Sequence, residues 1–454
     1  MIKKVCVIGG GISGLCTAFR LKKKGVEVLL VERGEVCGGN IQTEKTGDYL
    51  IEWGPNSTLV SEHLFELVAE LRLLDEVAQA NATAKKRYIL KDGKLRALPL
   101  KIVDIISSDI FSIQAKLRLL RETFIKSKSP KNESVAEFFE RRFGQEIVDF
   151  AVDPFVSGIF AGNPERLSIK SAFPLLFQME KDYGSILKAS LFGKKEKQGE
   201  FVPKGISRTV SFKSGMQTLT DKLAANLSDE IKTKTEVEQC ITENGKWKIK
   251  TVSGNLNDES FDAIVIAVPS FVAAKLIENF DGELSRQLSE IYHPPLAVIV
   301  SAFRKQDIDF GLDGFGFLIP KVERRKILGS LWSSVIFENR APQGVHLLTT
   351  FIGGARNAEL FDKSDEELFC IAFDELDSIL GLKVKPIFQQ IKCWTRAIPQ
   401  YNIGYEKIEN DIEDFSRKNR GIFFCSNFYR GISVGDCVKN AHRTANEIED
   451  YLKK

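Results

Sequence analysis

The chain has 454 residues, a formal net charge of +3 at pH 7, and 43% hydrophobic against 28% charged residues. This balance is typical of a folded globular protein, and the nearly neutral charge gives no overall field that would favour nucleic acid. No apolar run reaches the length of about 18 residues that a membrane-spanning helix needs. The length leaves room for two or three domains with separate cores.

The first predicted elements are a strand, a glycine-rich loop and a helix. Residues 5–8 form an apolar run that leads into Gly9-Gly10-Gly11-Ile12-Ser13-Gly14, and apolar residues at helical spacing follow. This order predicts a dinucleotide-binding βαβ unit. Gly9 permits the tight turn, Gly11 lets a pyrophosphate approach the backbone, and Gly14 lets the helix pack on the strand. We expect Gly9, Gly11, Ile12, Ser13 and Gly14 to bind a phosphate group at the helix N-terminus.

A second strand is predicted over residues 26–31, and it ends at Glu32. This carboxylate follows the loop by about 20 residues, where the βαβ unit binds ribose hydroxyl groups. We therefore assign Glu32 and the adjacent Arg33 to the dinucleotide site. A second glycine pair, Gly38-Gly39, follows at once and offers another close approach of backbone to phosphate.

The two glycine motifs together resemble the FAD-dependent amine oxidase superfamily, whose second motif is usually Gly-Gly-Arg-x-x-Ser/Thr. The resemblance implies a non-covalently bound FAD and a Rossmann-like FAD-binding domain. Asn40 replaces the usual arginine, so this position lacks a charged contact to phosphate.

The next predicted elements complete the first part of the nucleotide domain. A strand over residues 49–53 leads into the turn Gly54-Pro55-Asn56-Ser57, and residues 61–79 show the apolar spacing of a helix. The first part of this domain ends near residue 82.

A basic region follows between residues 85 and 131, with 13 lysine or arginine residues against 4 acidic ones. It also contains a broad set of branched and aromatic residues. Apolar surface flanked by cations suits the interface of an anionic membrane. The alternative is a helical subdomain whose lysine and arginine side chains face water. The pattern stays helical from 134 to 191, interrupted at residues 153–162, and residues 194–199 indicate an exposed loop.

The second half of the chain is richer in strands. A helix over residues 219–227 precedes two alternating strands, 231–238 and 247–250, which are typical of an antiparallel pair. The apolar run at residues 261–269 is expected to rejoin the parallel sheet of the nucleotide domain. Antiparallel strands dominate residues 292–403 around one helix at 366–380, and the chain ends with a strand at 421–425 and a helix at 436–452.

These elements predict an α/β fold with a discontinuous Rossmann-like FAD-binding domain, a substrate domain built on a mixed or antiparallel sheet, and a helical domain that associates with a membrane. The FAD-binding domain is assigned to residues 1–82, 222–273 and 404–454. The substrate domain takes residues 83–87, 186–221 and 274–403, and the helical domain takes 88–185.

The eight cysteines contain no Cys-x-x-Cys pair, and two of them, Cys6 and Cys16, lie on the apolar sides of the first strand and helix. We expect reduced thiols, a cytoplasmic compartment and no metal site. The first strand begins by residue 5, which leaves no room for a signal or transit peptide.

Short motifs along nearly the whole chain resemble the oxygen-dependent protoporphyrinogen oxidase family. They include Trp53-Gly54-Pro55-Asn56-Ser57, Lys86-Arg87-Tyr88-Ile89, Asp153-Pro154-Phe155-Val156-Ser157-Gly158, Gly314-Phe315-Gly316-Phe317-Leu318, Ala397-Ile398-Pro399-Gln400-Tyr401 and Gly431-Ile432-Ser433-Val434-Gly435. The chain departs from the family at Ser426-Asn427, where many members have Gly-Asn, and at Lys439-Asn440, which replaces two small residues.

The resemblance implies roles for individual residues. Arg87 matches the arginine that pairs with a substrate propionate, a role that suits the guanidinium fork. Gly158 matches a glycine on the cavity wall. Four apolar residues match the positions that sandwich the macrocycle: Phe315, Leu318, Leu331 and Phe351. Around the cofactor, the implied contacts are Gly38, Gly39, Asn40, Gly54, Pro55, Asn56, Ser57, Val237, Trp394, Ser433 and Val434, in addition to the first glycine loop, Glu32 and Arg33.

The family activity implied is the six-electron oxidation of protoporphyrinogen IX to protoporphyrin IX in heme biosynthesis, with three O2 reduced to H2O2. Flavin N5 would carry the hydride step, so no catalytic side chain is predicted. The implied partners are the porphyrinogen, O2, an anionic membrane surface on the cytoplasmic side, a chelatase and a second copy of the chain, with no nucleic acid.

Three alternatives remain open from the sequence. A coproporphyrinogen III oxidase would use the same chemistry on a substrate with four propionates. An amine oxidase or carotenoid desaturase could share the scaffold, although no aromatic pair flanking the flavin is evident. A non-catalytic FAD-binding membrane scaffold is the most distant alternative.

Overall fold

The computed structural model describes residues 3–99, 102–125, 128–192 and 207–454. Its first layer is a five-stranded parallel sheet assembled from distant parts of the chain. In spatial order the strands are β10 (Ile231–Lys232), β2 (Glu27–Val31), β1 (Lys4–Ile8), β13 (Ala263–Ile266) and β19 (Ile422–Phe424). The prediction that residues 261–269 rejoin the N-terminal sheet is therefore confirmed, because β13 pairs directly with β1.

Helices cover both faces of this sheet, which explains why its strands are apolar on both sides. One face packs against α1 (Ile12–Lys23), α2 (Glu62–Glu70), α11 (Gln217–Asn226) and α17 (Val434–Leu452). The other face packs against α12 (Ser270–Ile277), α13 (Gly282–Glu290), α16 (Tyr405–Lys418) and the hairpin β11–β12 (Val237–Glu243 and Lys246–Thr251). The Cys6 and Cys16 thiols are free and buried in these two cores, as predicted.

Two predicted elements near this sheet were wrong in extent. The alternating run 231–238 is divided, because Lys234 has a φ of +53° that no strand can continue through. Its first part joins the parallel sheet and only the part from Val237 onward pairs with β12. The predicted helix over residues 61–79 ends at Glu70. Arg72, with a φ of +57°, then turns the chain toward the short strand β6 (Val77–Gln79).

Two small sheets connect the nucleotide layer with the rest of the molecule. The antiparallel hairpin β3–β4 comprises Thr43–Thr46 and Tyr49–Glu52, and the three-stranded sheet has the order β5 (Thr58–Leu59), β9 (Thr209–Phe212) and β6 (Val77–Gln79).

The second layer is a seven-stranded sheet that is antiparallel except for the β15–β7 pair. In spatial order it contains β18 (Phe388–Trp394), β14 (Leu296–Arg304), β17 (Val345–Gly353), β16 (Ile327–Leu331), β15 (Gly316–Leu318), β7 (Tyr88–Lys91) and β8 (Lys94–Ala97). Helix α15 (Asp365–Leu380) packs on one face, and α14 (Ser333–Ile336) follows β16. The predicted antiparallel strands and the helix of residues 292–403 are confirmed. The assignment of residues 88–97 to a helical domain is wrong, since they form two edge strands of this sheet.

The third part is helical. It comprises α3 (Ile102–Ser107), α4 (Ile113–Arg121), α5 (Val135–Phe143), α6 (Gln145–Ile147), α7 (Asp153–Phe160), α8 (Ile169–Ala172), α9 (Pro174–Tyr183) and α10 (Ile186–Phe192). The interruption predicted at residues 153–162 is wrong: α7 follows a π-helical turn, and Pro154 is tolerated because it lies at the start of that helix.

A buried ion network holds the helical part together. Arg142 is only 1% exposed and donates to Glu122 at 3.0 Å and to Glu180 at 2.6 Å, while Glu122 also accepts from the backbone N–H groups of Ile186 and Leu187. Across the described ranges, no helix is both long and apolar enough to cross a membrane. The predicted loop at residues 194–199 lies outside the described residues.

Candidate cofactor and substrate site

The first glycine loop has the geometry that its sequence predicts. Gly9 adopts a φ of +109°, and a Cβ atom on Gly14 would lie only 1.9 Å from the carbonyl oxygen of Gly9. Helix α1 starts after Gly11, and no side chain caps its N-terminus. The first N–H groups of the helix, beginning at Ile12 and Ser13, therefore point toward the loop and donate no hydrogen bond to a capping side chain. A helix N-terminus of this kind is suited to an anion such as a pyrophosphate.

Glu32 lies at the carboxyl end of β2 beside this loop. Its two carboxylate oxygens accept hydrogen bonds of 2.7 Å from the backbone N–H groups of Gly10 and Gly34. These contacts fix the orientation of the carboxylate at the edge of the sheet, where the sequence places a ribose-binding residue. Arg33 is exposed at the next position.

The second glycine pair packs against the first loop. Gly38 donates to the Gly10 carbonyl at 2.8 Å, and a Cβ atom on Gly39 would lie 3.1 Å from the Gly11 Cα. Side chains at these positions would fill the space between the two loops. The structure therefore brings Gly11 and Gly39 together into one backbone-lined cradle.

The turn at residues 54–57 extends this cradle. A Cβ atom on Gly54 would lie 1.9 Å from the Asn40 carbonyl oxygen, so only glycine permits this contact. Pro55 and Ser57 are half-buried, and Asn56 is buried with its side-chain oxygen lacking a hydrogen-bond partner among the described residues. Since buried polar atoms are nearly always paired, this oxygen is a candidate contact to a bound group.

Two distant segments reach the same region. Thr235 donates to the Glu32 carbonyl at 2.9 Å, which brings the start of β11 at Val237 beside β2. Helix α17 packs against α1 in one hydrophobic core, which includes Val434 at the start of α17 and Leu15 near the start of α1. Ser433 caps α17, and Val434 is its buried first residue.

Strand β18 ends against the cradle. The Trp394 indole N–H donates to the Trp53 carbonyl at 2.9 Å. Two further residues, Lys392 and Gln42, belong to this region and were not predicted from the sequence. Lys392 lies 4.9 Å from the Trp394 ring and donates to Gln42, which in turn donates to the Gly39 carbonyl at 2.9 Å. Partial burial lowers the pKa of Lys392, and the charge of Glu44 opposes this shift. Only the i, i+2 spacing of Lys392 and Trp394 on a strand could have indicated their common face.

The predicted apolar wall forms one face of the seven-stranded sheet. Gly329 of β16 is the register partner of both Leu318 and Phe351, and Leu331 lies two residues further along the same strand. Partners directly across a sheet share a face, as do residues two apart. The three side chains therefore project from the face opposite to α15. All three are half-buried, which leaves part of each available to a ligand.

Helix α7 lies across from this wall. A Cβ atom on Gly158 would lie 2.7 Å from a Leu318 methyl group, so a side chain there would press into the wall. This contact brings Gly158 and Leu318 together, as the sequence analysis expects of two residues that line one cavity.

Arg87 and Phe315 lie at the end of the wall next to β7. The guanidinium carbon of Arg87 is 4.3 Å from the centre of the Phe315 ring, and Phe315 packs in a small hydrophobic cluster with Leu331. Loss of hydration lowers the pKa of Arg87, and the positive charge of Arg208 lowers it further. Arg87 stays charged, because the ordinary arginine pKa is far above neutrality. The site thus has a backbone-lined cradle at one end, an apolar wall and a cation at the other end.

Comparisons with known proteins agree with this geometry. The sequence profile of the family described as flavin containing amine oxidoreductase matches residues 12–449. The chain is 34% identical to protoporphyrinogen oxidase 2, chloroplastic/mitochondrial, of Arabidopsis thaliana, over 99% of this chain and 94% of that protein. It is 26% identical to coproporphyrinogen III oxidase of Bacillus subtilis, over 99% of this chain and 98% of that protein.

The fold has a counterpart among solved structures. A protein from Exiguobacterium sp. 255-15 assigned as a protoporphyrinogen oxidase superposes with a TM-score of 0.81 at 22% identity, covering 100% of this chain and 99% of the other. That similarity confirms the predicted α/β fold with its discontinuous nucleotide sheet. The family profile, together with relatives at 30–34% identity over nearly the full length, shows that the chain belongs to the flavin containing amine oxidoreductase family and, within it, to the protoporphyrinogen oxidases.

Proposed function

We propose that this chain oxidises protoporphyrinogen IX to protoporphyrin IX, using FAD and molecular oxygen. The observation that carries the proposal is the position of the apolar sheet face bearing Leu318, Leu331 and Phe351 between the glycine cradle and Arg87. A flat, largely apolar macrocycle with carboxylates at one edge fits a wall of this kind with a cation at its rim. The reaction removes six electrons and six hydrogen atoms from the substrate and converts three O2 into three H2O2.

FAD is the cofactor of this family, and when bound it supplies the two-electron acceptor. The residues present fit it: a Cβ atom on Gly11 would meet no protein atom nearer than 4.0 Å, so this glycine borders open space, Gly39 lies directly against it, and the buried Asn56 oxygen lacks a partner among the described residues. The protein itself would orient the substrate and exclude water.

We assign further cofactor contacts to the residues that surround the cradle. Ile12 and Ser13 would donate backbone N–H groups to the pyrophosphate, and Glu32 and Arg33 would lie at the adenosine ribose with Val237 at the adenine. The remaining contacts are Asn40, Gly54, Pro55, Ser57, Trp394, Ser433 and Val434. We also propose the division into three domains given above, with one change. Residues 88–97 are assigned to the substrate domain, because they belong to its sheet.

The test compares the rates of oxidation of the two porphyrinogens, each measured on its own. Purified, FAD-loaded protein is incubated in air with protoporphyrinogen IX or, separately, with coproporphyrinogen III, and porphyrin fluorescence is followed against the autoxidation rate. We expect acceleration with protoporphyrinogen IX. A strong preference for coproporphyrinogen III would replace the proposal by the activity named for the Bacillus subtilis relative, and no acceleration with either substrate would exclude both.

Replacement of Arg87 by alanine is expected to raise KM for protoporphyrinogen IX about tenfold and to leave kcat within about twofold, because a charge-assisted contact to a carboxylate contributes about 1.5–3 kcal/mol, and solvent exposure reduces this. The measurement is steady-state kinetics by porphyrin fluorescence. Lys94→Ala, which removes an exposed cation from the neighbouring strand β8, is the control. Unchanged kinetics in Arg87→Ala would remove Arg87 from the site.

We also propose that helix α4 lies on an anionic membrane surface. Four large apolar side chains form a single stripe along α4 and the turn after it: Ile113, Leu117, Leu120 and Phe124 are 76%, 50%, 54% and 80% exposed. Their spacing of three or four residues places them on one helical face. Lys116 and Arg121 flank the stripe and form no ion pair with the described residues. An apolar stripe bordered by cations fits the boundary between anionic headgroups and acyl chains. We therefore propose a peripheral position on the cytoplasmic face of a membrane, and we keep a chelatase and a second copy of the chain as proposed partners.

The double substitution Leu117→Gln, Leu120→Gln is expected to weaken binding to vesicles containing anionic lipid at least about tenfold, since burial of each side chain contributes about 1 kcal/mol or more. Both side chains are half-exposed, so folding should be preserved. Val384→Gln, at a similarly exposed apolar position elsewhere, is the control. Co-sedimentation at low and high salt measures the binding. If the wild-type protein fails to bind anionic vesicles at low salt, the alternative is correct, in which the lysine and arginine side chains of residues 85–131 simply face water.

A further inference from the structure

The apolar wall ends in a lysine on the side of the glycine cradle. Across the sheet, Lys392 of β18 pairs with Val298 of β14, and Val298 pairs with Phe351 of β17. Because register partners share a face, Lys392 projects from the same face as Phe351 and Leu318. Arg87 precedes β7, and four strands of the sheet lie between β7 and β18. The wall therefore has a second cation, at the end opposite to Arg87.

Side-chain contacts hold the Lys392 ammonium beside the cradle. It donates to the side-chain oxygen of Gln42, whose amide donates to the Gly39 carbonyl at 2.9 Å. It also lies 4.9 Å from the Trp394 ring, whose N–H donates to the Trp53 carbonyl at 2.9 Å. The Trp53 backbone N–H in turn donates to the Gln42 carbonyl at 2.9 Å. Lys392 and Trp394 are thus anchored to the same two segments, and the ammonium is two hydrogen bonds away from the Gly39 backbone.

Among the residues that the structure describes, no carboxylate forms an ion pair or a hydrogen bond with this ammonium. Glu44 is close enough for its charge to act on Lys392, but both of its oxygens accept from other side chains. The Trp53 indole donates to one at 2.8 Å, and the Thr46 hydroxyl donates to the other at 2.9 Å. Lys392 is only partly buried, so it keeps its charge at pH 7. A positive charge therefore remains where the cradle meets the wall.

This junction is the place where a bound flavin ring must lie. The ring is joined to the phosphates, which the glycine cradle is suited to hold, and it has to touch the macrocycle that lies on the wall. A hydride brings two electrons and one proton to the neutral ring, which thereby gains one negative charge. Transfer of the same two electrons and proton, with one further proton from solvent, converts O2 into H2O2. A fixed cation at the junction favours the negatively charged, reduced ring over the neutral, oxidised one.

We propose that Lys392 raises the reduction potential of the bound flavin, because its ammonium stabilises the negative charge of the reduced ring. This inference rests on the proposed function, and in particular on the binding of FAD in the cradle. Gln42 and Trp394 keep the ammonium in place for this role. The lysine exchanges no proton in the proposal and acts through its charge alone.

The experiment measures the midpoint reduction potential of the FAD-loaded protein by anaerobic titration against a reference dye, without any porphyrinogen. We expect Lys392→Met to shift the equilibrium about tenfold toward the oxidised cofactor, which lowers the potential of a two-electron couple by about 30 mV. Lys392→Arg keeps the charge and should stay near the wild-type potential. Lys326→Met removes an exposed lysine just before β16 of the same sheet and should also stay there.

The affinity for oxidised FAD separates this effect from simple damage to the cradle. The dissociation constant is measured by titrating FAD into the apoprotein and following the quenching of flavin fluorescence. We expect Lys392→Met to change it by no more than about twofold, because the oxidised ring carries no charge for the lysine to stabilise. Reduced FAD should bind about tenfold more weakly to this variant, since the change in potential and the change in relative affinity are thermodynamically linked.

Two results would overturn the inference. The first is a wild-type potential in Lys392→Met, and the second is an equal fall in Lys392→Met and Lys392→Arg, which would show that the shape of the side chain matters and its charge does not. A wild-type protein that binds FAD but oxidises neither porphyrinogen would reject the proposed function, while a lowered potential in Lys392→Met would still support the role of the lysine. A wild-type protein that binds no FAD would reject both.

Discussion

Gly14→Ala is expected to give a chain that folds poorly around the first glycine loop and is purified with less than about 0.1 FAD per chain. The added Cβ would lie 1.9 Å from the Gly9 carbonyl oxygen, whereas ordinary contact begins near 3.4 Å, so helix α1 must retreat by about 1.5 Å from β1. The obstructing atom belongs to the backbone of Gly9, which directly follows β1, a strand paired on both sides, and whose N–H donates to the Val31 carbonyl at 2.9 Å, so this atom cannot rotate away. Retreat of the helix would also displace the N–H groups that bind the pyrophosphate, so cofactor binding and packing fail together.

The flavin absorbance of purified protein and its thermal unfolding with and without added FAD measure this effect. We expect the Gly14→Ala protein to lose about 3 kcal/mol of stability and to show little stabilisation by FAD. Gly282→Ala is a matched control, because its Cβ would meet no atom within 4 Å and the residue lies in the first turn of α13. Full flavin occupancy in Gly14→Ala would contradict the assignment of this loop as the cofactor site.

Arg142→Met is expected to destabilise the helical part by about 3–5 kcal/mol. The substitution removes the arginine partner of Glu122, which is completely shielded from water, while Glu180 keeps its ion pair with Arg141 at 2.7 Å. Three remaining donors, the Ser185 hydroxyl and the two N–H groups at the start of α10, offset part of the loss at Glu122. The net effect remains large because an uncompensated buried charge is costly.

Urea unfolding followed by circular dichroism measures the effect. The second substitution Glu122→Gln, made in the Arg142→Met chain, should restore part of the stability because it removes the buried charge that has lost its arginine partner. Arg286→Met is the control: this arginine is 56% exposed in its surface ion pairs with Glu283 and Glu290, and its loss should leave the urea midpoint of unfolding nearly unchanged. Equal destabilisation by Arg142→Met and Arg286→Met would show that the buried network does not stabilise the fold.

The cofactor half of the site depends on features that are local in the sequence. The glycines of the first loop, the apolar strand before them and Glu32 lie within one βαβ unit, so their spacing alone specifies their relative positions. The presence of antiparallel strands in residues 292–403 was also predicted, because most of these runs alternate or are continuously apolar. Errors occurred where a local signal permits two structures. Pro154 breaks a helix in its interior but is compatible with its first turn, and the run 231–238 alternates although Lys234 turns the chain.

The substrate half was decided by tertiary structure. Resemblance to a family indicated Arg87 and the apolar residues, but only the sheet register shows that Leu318 and Phe351 flank the same glycine on one face. Lys392 donates to Gln42 although 350 residues separate them in the chain. This proximity leaves no periodic signal in the sequence.

By itself, the sequence determined most of the strands and helices and where a dinucleotide phosphate can approach the backbone. The tertiary structure decided which side chains share the substrate wall and which helical face stays apolar and exposed. The physical reason is the range of the interactions. Backbone conformation and hydrophobic periodicity act over a few residues, whereas a binding site is assembled by strand pairing and packing between segments that are distant in the chain.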